Sequence, residues 1–274
     1  MMKRGWSGIL LLVGPPSDPL SRLSADSGNT WSIESLTRRP GRLSAVVVKL
    51  LVDGIVTGRY PAGSLLPPEP VLCQSFDVSR SVVREAVKVL EEKGLARVRQ
   101  GHGTTVTSPD EWNLLDPVVL AATIRADETM QTLDQLVDVR VALESDMAST
   151  ASRSMSADEL AQLAALLEEL RTHLKDADRY LEMDTQYHDF IMSCSGNRLG
   201  RSIIRAIHPH ARASSLYSPE ADEEDLRRAH VGHVAIYERL FGRDADGAAA
   251  AMQEHIRGTW MLRKLKAGRS RGAG

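Results

Sequence analysis

From Leu43 onward, apolar residues recur at helical spacing. Leu43, Val46, Val47, Leu50, Leu51 and Ile55 predict an amphipathic helix ending near Gly58. The Pro and Gly of Tyr60-Pro61-Ala62-Gly63-Ser64 predict a turn. Pro68 suits the first turn of a short second helix over 69–76, and Asp77-Val78 is a tight turn. A third helix follows, with Val82, Val83, Ala86, Val87, Val89 and Leu90 at helical spacing, Ser79 as candidate N-cap and Gly94 as candidate C-cap. Leu95-Ala96-Arg97-Val98-Arg99, then Gln100-Gly101-His102-Gly103, then Thr104-Thr105-Val106 read as strand, glycine turn, strand.

Beyond Ser108-Pro109-Asp110, a candidate linker, the pattern is helical to the end. Asp116-Pro117 starts a connecting helix. Leu133, Leu136, Val137, Val141, Leu143 and Ala148 mark a long helix over 132–155. Ser156 and Glu159 form a capping box for 157–174. Further helices are expected over 177–194, 198–214, 223–241 and 246–266, and no internal repeat is visible. The expected fold is mainly α: a winged helix-turn-helix over 41–107, a linker and connecting helix over 108–127, and an antiparallel all-helical bundle over 128–266. Residues 267–274 are expected to be a flexible tail. Residues 1–40, rich in Gly, Pro, Ser and Asp without periodicity, are expected to be disordered. Lys3-Arg4 followed by Trp6 to Val13 faintly resembles a signal peptide. The apolar core is short and no clear cleavage pattern follows, so a disordered tail or a misassigned start codon is preferred.

Charge divides the chain in the same place. The formal net charge is −2, but residues 38–107 carry eleven basic and six acidic residues, and residues 108–257 carry fifteen basic and twenty-seven acidic. A basic front unit and an acidic back unit imply that only the front meets a polyanion. A length of 274 residues allows two domains. Cys73 and Cys194 make neither a disulfide framework nor a thiolate zinc site, which suits a reducing cytoplasm. No apolar run is long enough to span a bilayer, so no membrane partner is expected.

Arg80 and Arg84 sit four apart, on one face near the start of the third helix. Such a helix tip suits the DNA major groove: arginine forks take guanine edges or phosphates, and Ser79 and Ser81 reach phosphates. The other reading is a solvated face of an ordinary amphipathic helix. Gly58-x-x-Pro61-Ala62-Gly63-Ser64, Leu66-Pro67, Val78-Ser79-Arg80-Ser81-x-Val83-Arg84-Glu85-Ala86, Leu90, Gly94-Leu95 and Gly101-x-Gly103 occur in order. On these pieces residues 43–107 resemble the DNA-binding domain of the GntR family of bacterial transcription regulators. The resemblance implies that Arg80 and Arg84 contact an operator and that the wing tip Gly101-His102-Gly103 enters the minor groove. His102 is otherwise a plain exposed turn residue. Arg97 and Arg99, two apart on a strand, share a face suited to phosphate. Pro70 stands where family members commonly carry a DNA-contacting arginine, so that contact is in doubt.

In the acidic unit Asp184 and His188 lie four apart on one helix, and His233 and His255 fall on the last two helices. Imidazole and carboxylate suit a divalent first-row metal. Spacing alone also permits surface or satisfied core histidines. Leu136-x-x-x-Arg140-x-x-x-Glu144, Asp184-x-x-x-His188 followed by Asn197, His233-x-x-Ile236 and Asp244-Ala245-x-Gly247-Ala248-x-x-x-Met252-x-x-His255 make residues 128–262 resemble FCD, the helical effector domain of the FadR-like branch of that family. The resemblance implies one divalent transition metal (zinc, nickel or similar) per chain on Asp184, His188, His233 and His255, and a small carboxylate effector held by the metal and Arg140. Arg140 is equally readable as the partner of Glu144. Asn197 either lines the pocket or fits a helix end after Gly196, the latter being favoured. Asp244-x-Asp246-Gly247 lacks the further ligands of a calcium loop and reads as a turn plus N-cap.

The expected function is therefore a ligand-responsive transcription regulator, a repressor by preference, acting as a homodimer on a palindromic operator and not as an enzyme. The alternative is a metal-dependent hydrolase with a DNA-binding appendage. No His-Glu-x-x-His arrangement and no nucleophile-plus-base pair supports it. A sequence-blind nucleoid protein is disfavoured by the acidic back unit.

Overall fold

A computed structural model describes residues 40–214 and 221–272. The expectation of a disordered extension and the faint leader pattern fall on residues outside that description, except Pro40, which opens the first helix. Among the described residues the front unit contains α1 (Pro40–Val56), α2 (Glu69–Phe76), α3 (Arg80–Glu92) and two strands, β1 (Ala96–Arg99) and β2 (Gly103–Val106). The strands pair antiparallel, with Ala96 opposite Val106 and Arg99 opposite Gly103. The wing is anchored at its base by an isolated bridge between Leu65 and Thr105.

Val47, Val48, Leu51, Val52 and Ile55 of α1 pack on Val82, Val83, Ala86 and Leu90 of α3. The expected stripe on α1 is corrected here. Leu43, Val46 and Leu50 are exposed, because both sides of this helix are apolar and periodicity alone does not choose between them. Ser79 sits at the N-cap position of α3, but its hydroxyl bonds Ser81 (2.9 Å) rather than a helix amide.

After a 3₁₀ turn, Pro109–Glu111, comes α4 (Pro117–Ala126), capped by Asp116, which accepts from the amides of Val118 and Val119. This short helix faces two ways. Val119 and Ala122 belong to the core of the winged helix, whereas Leu120 and Ile124 belong to that of the bundle. Ion pairs Arg125–Asp53 (2.6 Å) and Lys93–Asp116 tie its ends to the front unit.

The bundle comprises α5 (Gln131–Ser154), α6 (Ala157–Thr172), α7 (Ala177–Cys194), α8 (Arg198–Arg212), α9 (Glu223–Phe241) and α10 (Ala245–Gly272). The long α5 packs against α7, α8, α9 and α10, and α8 also packs against α4. Ser156 and Glu159 make the capping box on α6, and Asp222 and Asp225 make a second one on α9. Asp244 caps α10 by accepting from Gly247, so this turn is a helix start. The expected flexible tail from 267 is corrected: α10 continues to Gly272, with Ala267 buried in the core and Lys266 clasped by Asp222 and Asp225.

Candidate functional site

The front unit presents Arg80 and Arg84 outward, their side chains 72% and 71% exposed. Ser79 and Ser81 are exposed beside them. Glu69, on the first turn of α2, accepts a hydrogen bond from Arg84 Nε at 2.8 Å and lies 4.0 Å from Arg80 Nε. Sequence reasoning passed over Glu69, although it lies in the stretch compared with the family's second helix. In solvent such a pair is weak, so the guanidinium can exchange this carboxylate for phosphate or a base.

The wing tip is Gly101-His102-Gly103, with both glycines at positive φ (78° and 87°), a conformation a side chain would strain. His102 is exposed, and its Nδ1 lies 3.1 Å from the carbonyl of Gln100. Arg99 is exposed on β1. Arg97 is exposed too, but its guanidinium pairs with Glu111 at 2.6 Å, toward the linker.

In the bundle, α7, α9 and α10 bring Asp184, His188, His233 and His255 together, their candidate ligand atoms all within 4.8 Å of one another. His188 Nε2 lies 3.2 Å from His255 Nε2 and 3.3 Å from His233 Nε2, and Asp184 Oδ1 lies 3.1 Å from His233 Nε2. The three imidazoles are buried. Gly232 makes room for them: a Cβ there would stand 2.4 Å from His255 Nδ1.

The outer nitrogens are oriented as well. His188 Nδ1 lies 2.7 Å from Glu144 Oε2, and His233 Nδ1 lies 3.2 Å from the Tyr180 hydroxyl. Burial alone would raise the Glu144 carboxyl, but the Arg140 charge and the His188 hydrogen bond outweigh it and hold the group well below the usual carboxylate range. An ionised Glu144 only accepts, so the His188 Nδ1–H donates to it and Nε2 is turned toward the other two imidazoles. Burial also pushes His233 and His255 toward the neutral form that ligates. At Asp184 the hydrogen bond from His233 and the neighbouring imidazoles overcome burial, and the carboxyl stays ionised.

Three buried imidazole nitrogens facing one another are poorly satisfied by protons alone. A cation answers all four donors at once. Neighbouring donors on a first-row ion with bonds of about 2.0–2.1 Å stand roughly 2.9 Å apart in octahedral and roughly 3.3 Å apart in tetrahedral geometry. Three spacings here, 3.1, 3.2 and 3.3 Å, match, with His188 Nε2–Asp184 Oδ1 longer at 4.0 Å. The donor set therefore fits a divalent first-row ion, with Glu144 and Tyr180 behind it.

Beside this cluster lies a cavity of about 550 Å³ whose wall includes His188, Arg140, Glu144, His208, Arg205 and Arg212. Arg140 is buried, and its Nε donates to Glu144 at 2.6 Å, so both readings of this residue meet: it pairs within its helix and lines the cavity. Asn197 does not join them. It is exposed at the N-cap of α8, where its Oδ1 accepts from the amide of Gly200 at 2.9 Å. Its Oδ1 serves the helix start, the reading the sequence favours, and Asn197 is not among the residues that line this cavity. His208, Arg205 and Arg212 were missed, although their spacing of three and four places them on one face of α8.

Two family models match the chain: bacterial regulatory proteins of the gntR family over residues 43–106, and the FCD domain over residues 135–258. YieP of Escherichia coli K12, described as an uncharacterized HTH-type transcriptional regulator, is 32% identical over 220 residues, spanning 78% of this chain and 93% of YieP. The galactonate operon transcriptional repressor of the same strain is 28% identical over 205 residues, spanning 75% of this chain and 90% of its own. The transcriptional repressor NanR of Cronobacter sakazakii is 26% identical over 259 residues, with 91% and 98% covered. Among solved structures, that of Lar, titled as controlling expression of the Listeria monocytogenes agr system, aligns with a TM-score of 0.51 at 19% identity. It covers 83% of this chain and 97% of that one, a likeness of fold.

Proposed function

Since this chain belongs to the GntR family of bacterial transcription regulators, with an FCD domain behind its winged helix, we propose that it is a repressor whose grip on a palindromic operator is set by a small carboxylate effector and a bound divalent metal. The family and the relatives are DNA-binding regulators rather than enzymes, and nothing supports the hydrolase alternative. The observation that carries the effector reading is the convergence of three imidazole Nε2 atoms and Asp184 Oδ1 beside a cavity that also reaches Arg140.

In this reading Ser79, Arg80, Ser81 and Arg84 meet the major groove, Gly101, His102 and Gly103 meet the minor groove, and Arg97 and Arg99 meet phosphates, Arg97 after releasing Glu111. A homodimer sets two such units at the spacing of the half-sites. Asp184, His188, His233 and His255 would hold the ion, which, in a five- or six-coordinate geometry, would leave positions beyond these four for carboxylate oxygens. Arg140, kept in place by Glu144, supplies the guanidinium beside it. An effector drawn between α5, α7 and α8 moves the face of α8 that lines the cavity. Because α8 packs on α4, and α4 sits in both cores, that movement reaches the winged helix. The effector shifts operator affinity only by binding one arrangement better than the other.

The test is gel retardation of the intergenic DNA flanking this gene, with metal-loaded and chelator-treated protein and a panel of small organic acids. Elemental analysis should find about one divalent ion per chain, and His233→Ala should lose it. One acid should release the DNA from wild type and not from Arg140→Ala. A response to no acid, together with unchanged metal content in His233→Ala, would end this reading.

A further inference from the structure

The cavity wall carries cationic residues besides Arg140. On α8, Arg205, His208 and Arg212 project from one face, and Arg205 and Arg212 are seven residues apart, about 10.5 Å along the helix. Their charges are handled differently from that of Arg140. Arg140 is matched by Glu144 in a buried pair. Asp189 accepts from both Arg201 (2.9 and 2.5 Å) and Arg205 (2.7 Å), so a single carboxylate serves two guanidiniums.

Arg212 is half-buried, and its Nη1 donates to the carbonyl of Leu181 at 2.6 Å and to the Thr185 hydroxyl. Both acceptors are neutral, and among the described residues no carboxylate pairs with Arg212. These two bonds fix the guanidinium at the cavity wall without cancelling its charge. They engage Nη1 and leave the Nε and Nη2 donors for a ligand. A fixed, half-desolvated cation without an anion is costly unless something in the cavity supplies one. The same wall carries apolar Met192, Ile204 and Pro209, suited to a short carbon skeleton, and its second carboxylate, Asp189, is the one already shared by Arg201 and Arg205.

We infer that the effector is a dianion: one carboxylate binds at the Arg140 and metal end, and a second anionic group, carboxylate or phosphate, binds at Arg212. This rests on the effector reading above and adds a specificity-determining residue to it. Arg212 selects for the second charge, while Arg140 and the ion bind the first.

The experiment is isothermal titration calorimetry on the full-length, zinc-loaded chain with matched acids: succinate against butyrate, glutarate against pentanoate, phosphoglycolate against glycolate. At least one dianion should bind about tenfold or more tightly than its monoanionic partner. Which pair shows the preference separates a second carboxylate from a phosphate. Arg212→Gln should erase the preference while leaving monoanion affinity within about twofold, and Arg212→Lys should restore part of it. Equal binding of both members of every pair would overturn this inference and leave the effector reading intact. So would an Arg212→Gln variant that weakens both members equally, since that is a structural role. Binding of no acid by wild type would overturn the effector reading, and this inference with it.

Discussion

Arg84 on α3 and Arg140 on α5 each hold a glutamate, in opposite surroundings. The Arg84–Glu69 pair is 71% and 29% exposed, and the Arg140–Glu144 pair is 6% and 0% exposed. In water the first is weak and screened by salt, so Arg84 is free to exchange Glu69 for another anion at little cost. In the interior the second cannot be dissolved without stranding a charge. The same chemical pair is thus a resting place in one unit and a structural fixture in the other. The front unit keeps its chemistry outside its core. The back unit builds its chemistry into the core, so function and stability there share the same atoms.

The sharpest way to break this contrast is Glu144→Gln. It strands the Arg140 guanidinium and removes the carboxylate behind His188. The expected loss is about 3–5 kcal/mol of unfolding free energy by denaturant titration, with about 10–100-fold weaker metal binding. Stability within 1 kcal/mol of wild type would show that the buried pair is not the fixture described.

Arg84→Ala should do the reverse. Operator affinity should fall by about 10–100-fold in retardation assays, while circular dichroism, melting temperature and metal content stay those of wild type. A comparable loss of stability would place Arg84 in the fold rather than at the DNA.

A smaller, graded effect concerns protons. Burial holds the His208 imidazole well below its ordinary range, so the unfolded chain binds a proton there that the native chain refuses. Stability present above about pH 6.5 is therefore lost as pH falls, by up to about 1.4 kcal/mol per pH unit while the native ring stays neutral. His208→Gln should remove its share of that slope, while His233 and His255, also held neutral by burial, keep theirs. Asp127 adds a later loss. Burial would raise its carboxyl, but hydrogen bonds from Thr129 and Thr132 lower it to about 2, so its contribution disappears as pH falls from about 4 to about 2.

The smallest effect separates a cap from a ligand. Asn197→Ala should cost about 1 kcal/mol of stability by loss of the α8 cap, with effector affinity unchanged in calorimetry. A selective loss of effector binding would return Asn197 to the cavity.

Local punctuation made much of this fold readable in advance. Pro68 opening α2, the Ser156–Glu159 box on α6 and Ser195-Gly196-Asn197 after α7 are short-range signals, and the helices begin and end where they say. The inward face of α1 was not readable, because Leu43, Val46 and Leu50 are as apolar as the residues that are buried. The end of α10 was not readable because Gly268, a residue type that commonly ends helices, does not end this one, and the helix runs on to Gly272. The four proposed ligands were legible mainly through family resemblance. An Asp and a His four apart are common, and only the packing of α7 against α9 and α10 makes them a cluster with His233 and His255. Arg212 was hidden for another reason: its role depends on which neighbours fail to be acidic, and that requires knowing the neighbours.

The two-sided burial of α4 has a consequence for the chain as a material object. With Val119 and Ala122 filling one interior and Leu120 and Ile124 another, this helix is a common wall. Cutting the chain ahead of Asp116 would leave the DNA-reading half with a breach where the wall stood. The halves are thus tenants of one building, and heat that empties one should empty the other in the same transition.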